Sequence, residues 1–217
     1  EWSELNKKMQ MLLRKKDTFK DGISVCLELR NTLSDAVEKL CDKLSDEQYS
    51  LMPYPNANGY HCKTIAYSIW HTARIEDITA HTLICGDEQV LFRDDYLKAT
   101  CSPIITTGNE LVRDVITAFS HSLNISELLW YAANVKASTD ELLSRLSFED
   151  SKRRFSSDDK ERVIASKSVS EDKNAVWLID YWCGKDITGI IKMPFTRHLI
   201  MHIEAMMRIA DKIGIEI

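Results

Sequence analysis

Between Trp2 and Leu44 apolar side chains recur every three or four residues: Leu5, Met9, Leu12 and Leu13, then Ile23, Leu27, Leu33, Val37, Leu40 and Leu44. A helix turns about 100° per residue, so this spacing lays a single apolar stripe along one side and predicts helix. Asp21-Gly22 marks either a break between two helices or a glycine tolerated inside one. The segment from Met52 to Gly59 gathers Pro53, Pro55, Asn56, Asn58 and Gly59, which favour turn dihedrals, and is predicted as a loop. A second helix is expected from about Tyr60 to Cys85, stopped by Gly86. The pattern is mixed from Asp87 to Thr106. A third helical region runs from about Gly108 to Leu146, with a kink or turn at Asn124-Ile125-Ser126.

The stretch from Phe148 to Asp172 is the most polar, and short helices are expected around Asp158 to Ser166 and Glu171 to Cys183. Gly184 and Gly189 then bracket a connector. The last helix starts after Pro194, with Thr196 or the proline near its first turn, and runs to about Ile213 before Gly214. No segment has a convincing period of two. The predicted architecture is all-α: a four-helix bundle forming one domain over residues 1–217, with additional short helices in a long insert, 148–194, before the last helix.

Composition supports this reading. Only 7 Gly and 4 Pro occur in 217 residues, too few for the many turns of a sandwich or barrel. The six cysteines, at 26, 41, 62, 85, 101 and 183, form no C-x-x-C pair and are expected as buried free thiols in a reducing cytoplasm. No apolar run approaches the ~20 residues that cross a bilayer, and the first residues form a charged amphipathic segment, so neither secretion nor a membrane span is expected. Net charge is −5 with both signs mixed along the chain, which offers a phosphate backbone no broad positive field and argues against a nucleic-acid partner. Lys152-Arg153-Arg154, flanked by acids, reads as a solvated face.

Candidate chemistry concentrates in the closing helix. His198 and His202 lie four residues apart and share a face with Ala205, Met206, Ile209 and Ile213, whereas Arg197, Glu204, Arg208 and Asp211 fall opposite. Two imidazoles on an apolar face need partners for their ring nitrogens, and one shared cation can satisfy both. The alternative is two core histidines, each bonded to side chains or water. A stable metal site needs a third ligand from another helix, and His71 in the second helix is the candidate. It shares a semi-apolar face with Tyr67, Arg74 and Ile78, while Asp77 on the opposite face is a carboxylate in need of a partner. Glu76, Asp77 and Glu204 are candidates to orient an imidazole N–H. His61, His81 and His121 read as structural or exposed, and the aromatic run Trp177 to Trp182 as core or pocket wall.

Trp70-His71 in the second helix, together with Thr196-Arg197-His198 and His202 on the last, resembles the DinB/YfiT-like superfamily. That resemblance implies a bundle binding a divalent ion, zinc or nickel, through His71, His198 and His202. It also implies a thiol S-transferase or hydrolase type of activity, with a small thiol and an electrophilic small molecule as partners. The insert departs from the family's simple pattern. An ion on three neutral imidazoles keeps its charge and at least one open position, so it can act as a Lewis acid. A non-catalytic metal-binding module and a helical interaction module are the alternatives, and a homodimer remains open.

Overall fold

The computed structural model describes residues 1–216. Helix accounts for 69% of the chain, and the described residues contain no strand, only an isolated antiparallel bridge between Arg154 and Asp186. The amino-terminal stripe divides into α1 (Trp2–Leu12) and α2 (Phe19–Cys41). The break falls at residues 13–18, not at Asp21-Gly22. Gly22 sits inside α2 because α1 returns against it: a Cβ there would lie 2.9 Å from both the Leu13 backbone nitrogen and its Cδ2. This glycine permits close approach and makes no turn.

Helix α3 (Ile65–Asp77) starts later than the expected Tyr60, because the Thr64 side chain caps it by accepting from the Tyr67 N–H at 3.0 Å. It continues as a π-helix over Ile78–Cys85 and stops at Gly86, whose φ of 71° is the left-handed conformation glycine adopts readily. The mixed stretch forms only short turns, α4 (Val90–Arg93) and α5 (Tyr96–Ala99). The third helical region is divided at the expected place: α6 (Asp114–Ser122) ends, and Asn124 caps α7 (Ile125–Arg145) by accepting from the Glu127 N–H.

In the insert, α8 (Phe148–Ser151) and α9 (Ser157–Ala165) each begin with a capping box, Ser147 with Asp150 and Ser156 with Asp159. Then follow α10 (Trp177–Cys183) and α11 (Ile187–Lys192), so Gly189 lies within a helix and not in a connector. Pro194 does not open the last helix either. Helical backbone passes from α11 through a π-helix, Met193–Arg197, into α12 (His198–Lys212), and the wide π turn accommodates a residue that has no N–H to donate.

Helix α3 packs on both α7 and α12, and α12 packs on α2, while α2 and α7 touch along much less of their length. Two apolar clusters fill the interior. One joins Leu33, Ile69, Trp70, Tyr131, Ile203 and Met206 from the long helices. The other joins the start of α2 to the insert through Phe19, Ile78, Val163, Trp182, Ile190 and Phe195. The insert thus closes one end of the core. Of the cysteines only Cys26 is buried; Cys85 and Cys101 are exposed and the others intermediate, so the expectation of buried thiols fails for most of them, although all six are free.

Candidate metal centre

All thirteen residues of α3 are buried, which fits a helix with two semi-apolar faces and accounts for His71 pointing into protein. Its imidazole meets those of His198 and His202 from α12, where the i, i+4 spacing places both rings on the face turned toward α3. The three rings are 5%, 7% and 2% exposed, respectively. Each offers a nitrogen, and the three nitrogens lie within 4.8 Å of one another. His71 Nε2 lies 3.2 Å from His198 Nε2.

Hydrogen bonding fixes the tautomer of His71. Its Nδ1 lies 2.8 Å from the Thr107 carbonyl oxygen, and a carbonyl can only accept, so Nδ1 carries the proton and Nε2 presents a lone pair to the other two rings. Tyr67 stacks on the same imidazole at 5.5 Å with 9° between ring planes, and the Tyr67 hydroxyl donates to the Gly108 carbonyl at 3.0 Å. His71 is therefore oriented by a carbonyl and a fixed aromatic ring. Burial pushes its pKa down to about 4, partly offset by the Thr107 bond and reinforced by the nearby Lys63 ammonium. Burial also holds His198 and His202 well below the usual histidine range, with the neighbouring imidazoles adding to the effect. Near neutral pH all three rings are uncharged and need lose no proton to ligate.

The donor set fits a cation. Zinc–nitrogen bonds of about 2.0–2.1 Å at the tetrahedral angle put two ligating nitrogens about 3.3–3.4 Å apart, close to the 3.2 Å between His71 and His198. A direct hydrogen bond is the other account of that distance. It would require His198 Nε2 to carry the proton, leaving Nδ1 as a bare acceptor, and that atom is buried with no hydrogen-bond partner among the described residues. With a cation at Nε2 the proton sits on Nδ1 instead, equally without a partner, so this atom does not separate the two accounts; what the cation adds is use of the lone pairs that both rings turn toward each other.

The carboxylates proposed to orient an imidazole do not do so. Glu76 is taken by Arg30, at 2.6 and 3.1 Å. Asp77 accepts from Arg74, the Tyr131 hydroxyl and the backbone N–H groups of Val90 and Leu91, all at 2.8–3.0 Å. Glu204 is exposed on the far side of α12. The orienting acceptor is instead the Thr107 carbonyl, which no side-chain pattern could reveal. Tyr67, four residues before His71, lies on its stripe, and the ammonium of Lys63, just ahead of the Thr64 cap, lies 4.6 Å from the Tyr67 ring centre. His61 bonds Arg208, His81 bonds Asp87 and Ser138, and His121 is exposed, so none joins the cluster. The aromatic run divides: Trp182 is core, whereas Trp177 and Tyr181 face outward.

Comparison of the sequence with known protein families and with curated proteins gives no match. The chemistry of this site therefore rests on its own geometry: a buried group of three neutral imidazoles that could hold a metal ion. Among the described residues no helix is long and apolar enough to cross a membrane.

Proposed function

We propose that the chain is a DinB-like four-helix bundle built on α2, α3, α7 and α12, and that it holds one divalent ion, zinc or nickel, on His71, His198 and His202. The observation that carries this is the 3.2 Å approach of two imidazole nitrogens, one of them already fixed as a lone-pair donor by Thr107. The order of the ligands, one from α3 and an H-x-x-x-H pair from the last helix, supports the family. When bound, the ion would supply Lewis acidity suited to thiol transfer to a small electrophile or to hydrolysis. The chain's own part is to orient His71 through Thr107 and Tyr67, to keep all three rings neutral by burial, and to place the Lys63 ammonium near the cluster.

Calorimetric titration of zinc and nickel into metal-free protein tests the ligand set. One ion per chain should bind, and His71→Ala and His202→Ala should each weaken binding by at least about 100-fold, with the double variant losing little more. Tight stoichiometric binding retained by His71→Ala would remove it from the site.

The low exposure of the three rings favours a second reading, in which the ion only ties α3 to α12. Cobalt in the site separates the two. A sulfur charge-transfer band on adding a small thiol supports an open position and thiol chemistry, whereas an unchanged spectrum at saturating thiol supports the structural ion.

A further inference from the structure

A cleft of about 400 Å³ opens where α2 and α7 diverge, and none of the three histidines lines it. Its floor is apolar, made by Ile69 and Ala73 of α3, on the side of that helix away from His71, and by Ile203 and Met206 of α12. One end is sealed. There Arg30 donates to Glu76 of α3, to Asp140 of α7 and to the Phe195 carbonyl ahead of α12, at 2.5–3.1 Å, and Lys136 pairs with Asp140 at 2.6 Å. Every charge at this end already has its counter-charge.

The other end is different. Glu38 and Asp42, on the last turn of α2 and just beyond it, line the cleft and have no ion-pair partner among the described residues. The carboxyl end of α2 adds the partial negative charge of the helix dipole. Across from them Trp130 of α7, on the cleft wall, leaves 61% of its surface exposed. An indole face beside two carboxylates attracts an organic ammonium ion and repels an anion. We infer that the gap between α2 and α7 is a second ligand site, independent of the histidine cluster, for an amphipathic organic cation: its hydrocarbon body in the apolar cleft and its ammonium head among Trp130, Glu38 and Asp42. The volume is that of an ordinary small-molecule pocket and holds a chain or ring system of moderate size.

Decyltrimethylammonium, below its micelle concentration, is the probe, with decanol and decyl sulfate as neutral and anionic controls. Calorimetry on chelator-treated protein should show one saturable site, with the cation bound about three- to ten-fold tighter than decanol and decyl sulfate weakest. Glu38→Gln with Asp42→Asn, and separately Trp130→Ala, should reduce the preference for the cation over decanol while leaving decanol binding within about two-fold for the carboxylate pair. Ala73→Leu, which fills the floor, should abolish binding of all three; if it does not fold, Ala132→Leu on the α7 wall makes the same test. Decyl sulfate binding as tightly as the cation, an absence of saturable binding, or unchanged binding in a folded, cleft-filled variant would overturn the proposal. Because the protein is metal-free throughout, the result stands apart from the fate of the histidine site.

Discussion

Two buried polar clusters sit within a few turns of each other and are built on opposite principles. Around Arg30, every partner is present: its guanidinium, 1% exposed, meets two carboxylates and backbone carbonyls of Phe195 and Lys136, so a buried positive charge is neutralised and its N–H groups are used. Arg74, with Asp77, Tyr131, Gln89 and the Ile105 carbonyl, repeats the arrangement. Such clusters fix how helices meet and ask nothing of a ligand. Around His71 the arrangement is one-sided. Three neutral imidazoles converge with no carboxylate among them, and the buried Nδ1 of His198 lacks a hydrogen-bond partner among the described residues. A polar cluster complete in protein atoms is architecture, whereas a buried group of three neutral imidazoles could hold a cation.

The largest effect that could break this contrast is at Arg30. Arg30→Met strands the Glu76 carboxylate in the interior and should cost about 3–5 kcal/mol in denaturant unfolding, while Arg30→Met with Glu76→Leu should recover much of it. Zinc affinity should not follow stability in either variant. If it falls in parallel, the two clusters are a single unit and the contrast fails.

The histidine cluster should behave in the opposite way, depending on a ligand and not on internal partners. At free zinc about 100-fold above the dissociation constant, unfolding stability should rise by about 2.7 kcal/mol over metal-free protein, by mass action on the folded state alone. In the His71→Ala, His202→Ala variant that increment should vanish. A melting temperature indifferent to verified metal removal would leave the three histidines as packing.

The smallest effect is in pH and concerns the metal-free protein. His71 has its folded pKa lowered to about 4, below an unfolded value near 6.5, so its contribution is fully present above pH 6.5. It is lost as pH falls from about 6.5 toward 4, because the unfolded chain takes the proton first, with a limiting slope of about 1.4 kcal/mol per pH unit for each such group. Urea midpoints between pH 7 and 5 should therefore fall more steeply in wild type than in His71→Gln. Equal slopes would show that the imidazole is protonated as easily folded as unfolded.

Periodicity in the sequence was enough to establish an all-helical chain, the loop at 52–59, the stop at Gly86 and the turn at Asn124, since each follows from local dihedral preferences and apolar spacing. The pairing of His198 with His202 on a buried face was legible for the same reason: four residues bring two side chains onto one side of any helix. Contacts between distant segments were not legible. Whether Gly22 breaks a helix or is tolerated inside one is decided by α1 lying against it, and Pro194, expected near the first turn of the last helix, sits in a π turn that joins α11 to α12. Glu76 and Asp77 were candidate partners for an imidazole by position, but arginines in contact with them decided otherwise. Whether His71 would face the pair on α12 depended on how two buried helices cross, and its orienting acceptor is a backbone carbonyl that every residue possesses. Local pattern determined which faces are apolar and which side chains share them; only the packing of helices distant in sequence decided which polar groups find one another, because that choice is made by geometry at contact.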